Sequence, residues 1–386
     1  MIEHMSWASR SAEAVFRKKR DIVESRVRFV LSLTVVLAAK LVAGGIVYYL
    51  LSTGGNLQTR WIQVFGPMFP TRFNFLYLFT HWDSGWFLWI AKSGYTDMIV
   101  EGVGSFPILY SFFPAFPMLV RAISFVTRDY VLSAVLVSFS FGIGWVPIFQ
   151  KLCERYMPEP DALKCTLLAG FLPPVFLFTT VAYSESTFLF STLAAWYFYE
   201  KREMPLSSLF AAAATASRMV GILILVPILA DAFRRREKKA ICWMIIPTGV
   251  LLAYAYYIFL RTGVWFAYIP ATPGAASFIG GLQTIVGKSP EDLTFTFTAG
   301  FIVLVSFLTF KSWDTDWKLG LYATISLLGN LILGFHASYL RHLSFIFPMW
   351  MAVRIKSVIG ITFSLVIFYL ISILMWVQFL SWKWVG

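Results

Sequence analysis

Between Val27 and Leu51 the sequence is apolar, with Arg28 at its edge and Lys40 the one charge inside. A helix needs about 20 such residues to cross the hydrocarbon of a bilayer, and this run is long enough. It is the clearest of a series. The others are Phe106–Val126, Val131–Phe149, Ala162–Val181, Glu185–Tyr199, Pro205–Phe233, Ala240–Leu260, Leu293–Phe310, Leu319–Phe335, Leu343–Val353 and Ser357–Phe379. That much apolar surface does not fit inside one soluble core. Composition agrees: 58% of the residues are apolar and 13% charged, where soluble domains carry about 25% charged residues. The expected fold is all-α, a polytopic transmembrane protein of one domain over 1–386 with about eleven spans. The first run is too long for a cleavable leader and lacks a small-residue cleavage site, so it reads as a retained first span.

The net charge is +12. In a soluble chain that would suggest nucleic acid. Here the basic residues lie in short clusters between apolar runs, the pattern of cytoplasmic loops, so the expected partner is the lipid bilayer and not nucleic acid. Arg10, Arg17, Lys18, Lys19, Arg20 and Arg26 place residues 1–26 in the cytoplasm. Residues 52–105 then lie outside, within a first outside loop that runs over 52–130 and carries interfacial helices if 106–126 does not cross. Two topologies follow. If 106–126 crosses the membrane, Lys151/Arg155 and Lys201/Arg202 fall outside. If it lies in the interface, as Pro107, Pro114, Pro117 and Arg121 favour, they fall inside. The second arrangement requires Pro205–Phe233 to be two short helices meeting near Arg218, because an arginine in mid-membrane is expensive. It also puts outside loops near Ser184, at 263–292 and around His336–His342.

Chemistry-bearing residues concentrate in a few segments. His81-Trp82-Asp83-Ser84-Gly85-Trp86 opens a helix on which Trp82, Trp86 and Trp89 would share one face. Asp83 either caps that helix or stands at the membrane surface as a general base. Ser111-Phe112-Phe113-Pro114-Ala115-Phe116-Pro117 is a plain membrane anchor or a groove for a polyprenyl chain. Glu185, in Tyr183-Ser184-Glu185-Ser186, is favoured by the helix macrodipole or faces the same site as Asp83. Arg218 and Arg341-His342 are cationic groups at an outside boundary, suited to a phosphate or to a salt bridge. Lys40, buried within the first span, should pair with a carboxylate or line a wet cavity. The three cysteines contain no CxxC, so neither a disulfide framework nor a zinc site is indicated. P-loop, GxSxG and HExxH motifs are absent.

Taken in order, these segments resemble the PIG-V-like family of GPI mannosyltransferase II, among the GT-C glycosyltransferases that use polyprenyl-phosphate sugars. The pieces that carry the resemblance are Trp82-Asp83 with Ile90-Ala91 and Gly94-Tyr95, Phe112-Phe113-Pro114 with Phe116-Pro117, Tyr183-Ser184-Glu185-Ser186, Arg218 with Gly221, and Arg341-His342-Leu343 with Pro348. The resemblance implies a site on the non-cytoplasmic face, in the cell membrane of a prokaryote or the endoplasmic reticulum of a eukaryote. Asp83 would be the catalytic base. Arg218, Arg341 and His342 would hold the carrier phosphate, with His81, Trp82, Tyr95, Glu185 and His336 in support. The donor would be a polyprenyl (dolichyl) phosphate mannose and the acceptor a glycolipid or glycan. No cofactor is required on this reading. A divalent metal is possible but not indicated, since hard cations recruit several oxygen ligands. The chain departs from the family in placing His81 before the Trp-Asp pair and lacking the histidine that often follows it. A lipid or sugar transporter, or a non-catalytic subunit of a membrane complex, would also use an apolar chain with buried charges. The absence of an internal repeat counts mildly against the transporter.

Overall fold

The computed structural model describes residues 2–54, 74–96, 108–265, 293–333, 338–383 and 385, and only the backbone of 2–25, 54, 108, 293–297 and 333. His336 and most of the expected outside loop at 263–292 lie outside the described residues. Every regular element described is helical. In chain order they are α1 (Ile2–Gly54), α2 (Ser84–Ser93), α3 (Ala115–Thr127), α4 (Tyr130–Cys153), α5 (Glu159–Phe171), α6 (Pro173–Phe178), α7 (Glu185–Glu200), α8 (Met204–Ser217), α9 (Leu225–Arg235), α10 (Lys238–Trp243), α11 (Ile245–Thr262), α12 (Leu293–Ser312), α13 (Trp317–Leu333), α14 (Tyr339–Leu343), α15 (Pro348–Ala352) and α16 (Val358–Leu380), with 3₁₀ turns at Phe75–Phe79, Ile108–Ser111 and Met219–Ile224.

Among the described residues four stretches are long and apolar enough to cross a membrane: Arg26–Thr53, Tyr130–Cys153, Lys238–Thr262 and Val358–Leu380. Local sequence explains where they start and stop. Asp129 opens α4, its carboxylate accepting from the backbone N–H groups of Val131 (2.7 Å) and Leu132 (3.0 Å), which satisfies two of the donors a helix start leaves free. Ser357 does the same for α16 through Gly360 (3.2 Å). Gly263, at φ +72°, closes α11 in the left-handed conformation that a side chain resists.

At the centre, α7 packs against α8 and α4, and α11 lies along α8. Around them, α1 contacts α4, α5 and α16, while α12 and α13 pair with each other on another side. Two backbone approaches depend on glycine. A Cβ on Gly142 would lie 1.8 Å from the Thr179 carbonyl oxygen, and one on Gly221 2.3 Å from the Ala214 carbonyl.

Several expected spans are interrupted. Pro205–Phe233 is indeed two helices, and the junction falls at Arg218, whose backbone is extended (φ −155°, ψ 144°). The continuous span expected over Ala162–Val181 is instead α5 and α6, broken at Leu172 because Pro173-Pro174 pushes the preceding residue out of the helical region. The run Leu343–Val353 is likewise not one helix: α14 ends at Leu343 and α15 restarts at Pro348. Among the described residues no carboxylate pairs with Lys40. Its Nζ donates to the Thr179 (2.7 Å) and Thr180 (2.8 Å) hydroxyls and the Phe176 carbonyl (3.2 Å). It thus bolts α1 to the end of α6, where a short helix leaves its last carbonyls free.

The two ends of α7 are both charged. Glu185 begins it. At the far end Glu200 accepts from Lys318 (2.6 Å) and from the Tyr156 hydroxyl (3.1 Å), and the Tyr199 hydroxyl donates to Asp231.

Candidate functional site

The 3₁₀ turn Phe75–Phe79 leads into His81, Trp82 and Asp83. Trp82 sits at φ +54°, a strained position for a bulky residue, and its indole N–H reaches the Phe379 carbonyl of α16 (3.1 Å). It therefore stands before α2 and does not share a helical face with Trp86 and Trp89 as the spacing suggested. Tyr183 fixes the same turn. Its hydroxyl donates to the His81 carbonyl (3.2 Å) and accepts from the Asp83 N–H (3.0 Å). Asp83 occupies the cap position of α2, yet its side chain makes no capping hydrogen bond. The carboxylate turns instead to Arg341, whose guanidinium donates to Asp83 Oδ2 at 2.7 Å.

Arg341 is the hub. It also donates through Nε to Glu185 Oε1, which Arg218 bonds as well. Its guanidinium lies 4.8 Å from the Phe178 ring centre and 4.6 Å from that of Tyr183, a cation–π contact on two sides. Asp83, Arg341, Glu185 and Arg218 so form one chain of two carboxylates and two guanidiniums with no net charge. Glu185 is buried at 1% exposure, whereas Asp83 keeps 26% of its side chain open. The second oxygen of Glu185, Oε2, is buried without a hydrogen-bond partner.

His342 does not touch Asp83. It lines a narrow cleft with Arg218, Phe188, Val220, Tyr322, Ser326, Asn330, Phe345 and Ile346. Burial, with Arg218 and Arg341 close by, holds its imidazole well below the ordinary histidine range. His81 is also apart from the ion chain. Its ring centre lies 4.5 Å from both Tyr77 and Trp382, neither ring nitrogen has a hydrogen-bond partner, and burial lowers its pKa to about 3. Tyr95 belongs to a different cluster: it stacks on Tyr110 (5.5 Å) and donates to the Phe112 carbonyl (2.6 Å). The structure therefore joins Asp83, Glu185, Arg218 and Arg341, places His342 beside them, and leaves Tyr95 elsewhere. Tyr183, Ser326 and Asn330 went unassigned in the sequence. The signal for the last two was a polar i, i+4 pair in an otherwise apolar helix. Among the described residues no three His, Cys, Asp or Glu side chains gather as a metal site.

A scan against protein-family models found no match for the chain, and a search of curated proteins found none either.

Proposed function

We propose that this chain is a membrane glycosyltransferase, a mannosyltransferase by its resemblance, that moves a sugar from a polyprenyl-phosphate carrier to a glycolipid or glycan hydroxyl. The observation that carries the reading is the uncapped Asp83 carboxylate on Arg341, with Arg341 and Arg218 sharing Glu185. A cap would have spent Asp83 on its own helix. Two guanidiniums side by side are a ready partner for a phosphate diester, which each can hold through parallel N–H donors.

In this mechanism the carrier phosphate competes with Asp83 for Arg341. Asp83, released and open on one side, takes the proton of the acceptor hydroxyl. The acceptor oxygen forms its bond to the anomeric carbon as the bond to the phosphate oxygen breaks. Polyprenyl phosphate leaves with its charge stabilised by Arg341 and Arg218. A single displacement inverts the anomeric configuration. Glu185 keeps the two arginines in place when no phosphate is bound.

The test is a transfer assay on purified protein with polyprenyl-phosphate mannose, nucleotide-linked mannose as the parallel donor, and a lipid extract as acceptor. The expected result is transfer from the lipid donor alone, lost by at least about 100-fold in Asp83→Asn, with donor binding retained. Turnover retained in that variant removes the base assignment. Failure to transfer from any lipid-linked sugar moves the reading to transport.

A further inference from the structure

Tyr322, Ser326 and Asn330 recur every four residues on α13, so they form one stripe. All three are buried, at 2%, 4% and 5% exposure. Uncharged polar groups inside an apolar bundle cost free energy unless something meets them. Helix-to-helix hydrogen bonding would be the ordinary explanation. Here it fails for two of the three. The Asn330 amide donates back to the Ser326 carbonyl of its own helix (2.8 Å), which sets the amide's direction and leaves its oxygen as an acceptor. The Tyr322 hydroxyl lies toward Ser326 and Thr192, but neither the Ser326 nor the Thr192 oxygen completes a hydrogen bond.

The stripe lines the cleft together with Arg218 and His342. A hydroxyl, an amide and a neutral imidazole donate and accept without charge, which suits ligand hydroxyl groups. Arg218, one step away, suits an anion. Phe188, Phe345 and Ile346 supply the apolar remainder. We infer that this cleft takes the hydroxyl-rich head group of a phosphate ester, with Ser326 and Asn330 reading its hydroxyls while Arg218 holds the phosphate. This rests on the proposed function, in which that head group is the donor's sugar.

The experiment measures binding of two probes to the full chain in nanodiscs, polyprenyl-phosphate mannose and polyprenyl phosphate alone, for wild type, Ser326→Ala and Asn330→Leu. Ser326→Ala removes an oxygen that completes no hydrogen bond and only faces the Tyr322 hydroxyl, so its melting temperature is expected to stay near that of wild type and secures the comparison. The expected result is about a 10-fold weaker Kd for the mannosyl probe in each variant. The bare phosphate should stay within about twofold, because an uncharged side chain that does not reach the phosphate leaves its charged contacts intact. Equal losses for both probes, no loss for either, or a wild type that binds neither overturns the inference. Discrimination by these variants without sugar transfer to any acceptor would refute the transferase reading and keep the cleft. Transfer with both variants like wild type would do the reverse.

Discussion

The ion chain around Arg341 is neutral only while all four members are present. Removing one member of a buried pair leaves an uncompensated charge, at a cost of about 3–5 kcal/mol. Glu185 is the deepest member and accepts from both arginines, so Glu185→Gln should cause the largest loss. Asp83→Asn should cost less, because Asp83 is partly open and Arg341 keeps Glu185. Thermal unfolding in detergent checks this order, and a lower melting temperature for Asp83→Asn than for Glu185→Gln contradicts it. His81 supplies a pH dependence. Its ring stays neutral in the folded chain down to about pH 3, while the unfolded chain protonates near the usual 6.5. Between those values the unfolded state binds more protons, so stability falls as pH drops from about 6.5 towards 3. His81→Phe, which keeps the ring packing, should flatten that acid slope of the melting temperature. An unchanged slope would show that other groups set it. At this scale the sequence announced the candidates one at a time. It could not announce their meeting, since Asp83 and Arg341 are 258 positions apart and Glu185 and Arg341 156. The turn at Trp82 was equally hidden, because its positive φ is imposed by Tyr183 and Phe379 from distant elements.

Among elements, the segment from Thr179 to Glu185 is held from three sides. Lys40 of α1 binds Thr179 and Thr180, Gly142 of α4 touches the Thr179 carbonyl, and Phe79 accepts from the Ala182 N–H (2.8 Å). This segment carries Tyr183 and Glu185 into the site, so its position is set by α1 and α4, neither of which contributes an ionic group there. Gly142→Ala would place a carbon inside the Thr179 carbonyl and force α4 outward, a cost of about 1–3 kcal/mol. The expected readout is a lower melting temperature, with faster hydrogen exchange over 179–185. A variant with wild-type stability would show that α4 yields without strain. The break at Arg218 was readable because a charge between two apolar runs has few other places to go. The break at Leu172 was missed: Pro173-Pro174 signals it, but the unbroken apolar run over Ala162–Val181 reads as one span. The role of Lys40 was not, because its acceptors are two hydroxyls and a carbonyl that carry no charge signature in sequence.

Across the whole molecule, the four long apolar helices and the all-helical architecture follow from composition and run length alone. The number of crossings does not, since shorter helices such as α7 and α8 are apolar and buried, and the run through α8 breaks at Arg218. Two charged sets lie at the ends of α7. One is the ion chain at the start of α7. The other surrounds Glu200 at its end. The 16 residues of α7 span about 24 Å between them. A typical hydrocarbon core is about 30 Å thick. A chain with this central spacing would press a dent into an ordinary bilayer, or leave one charged layer below the lipid headgroups. Hydrophobic mismatch of that kind has a cost per ångström that sorts proteins among membranes. Reconstituted into phosphatidylcholines of graded acyl length, the chain should melt highest in the shorter lipids, and a maximum in the longest would mean that the long outer helices, not α7, set the match. If α7 crosses the membrane, the short middle of the bundle would act as a gauge of membrane thickness, favouring membranes thin enough for lipid headgroups to meet the buried arginines.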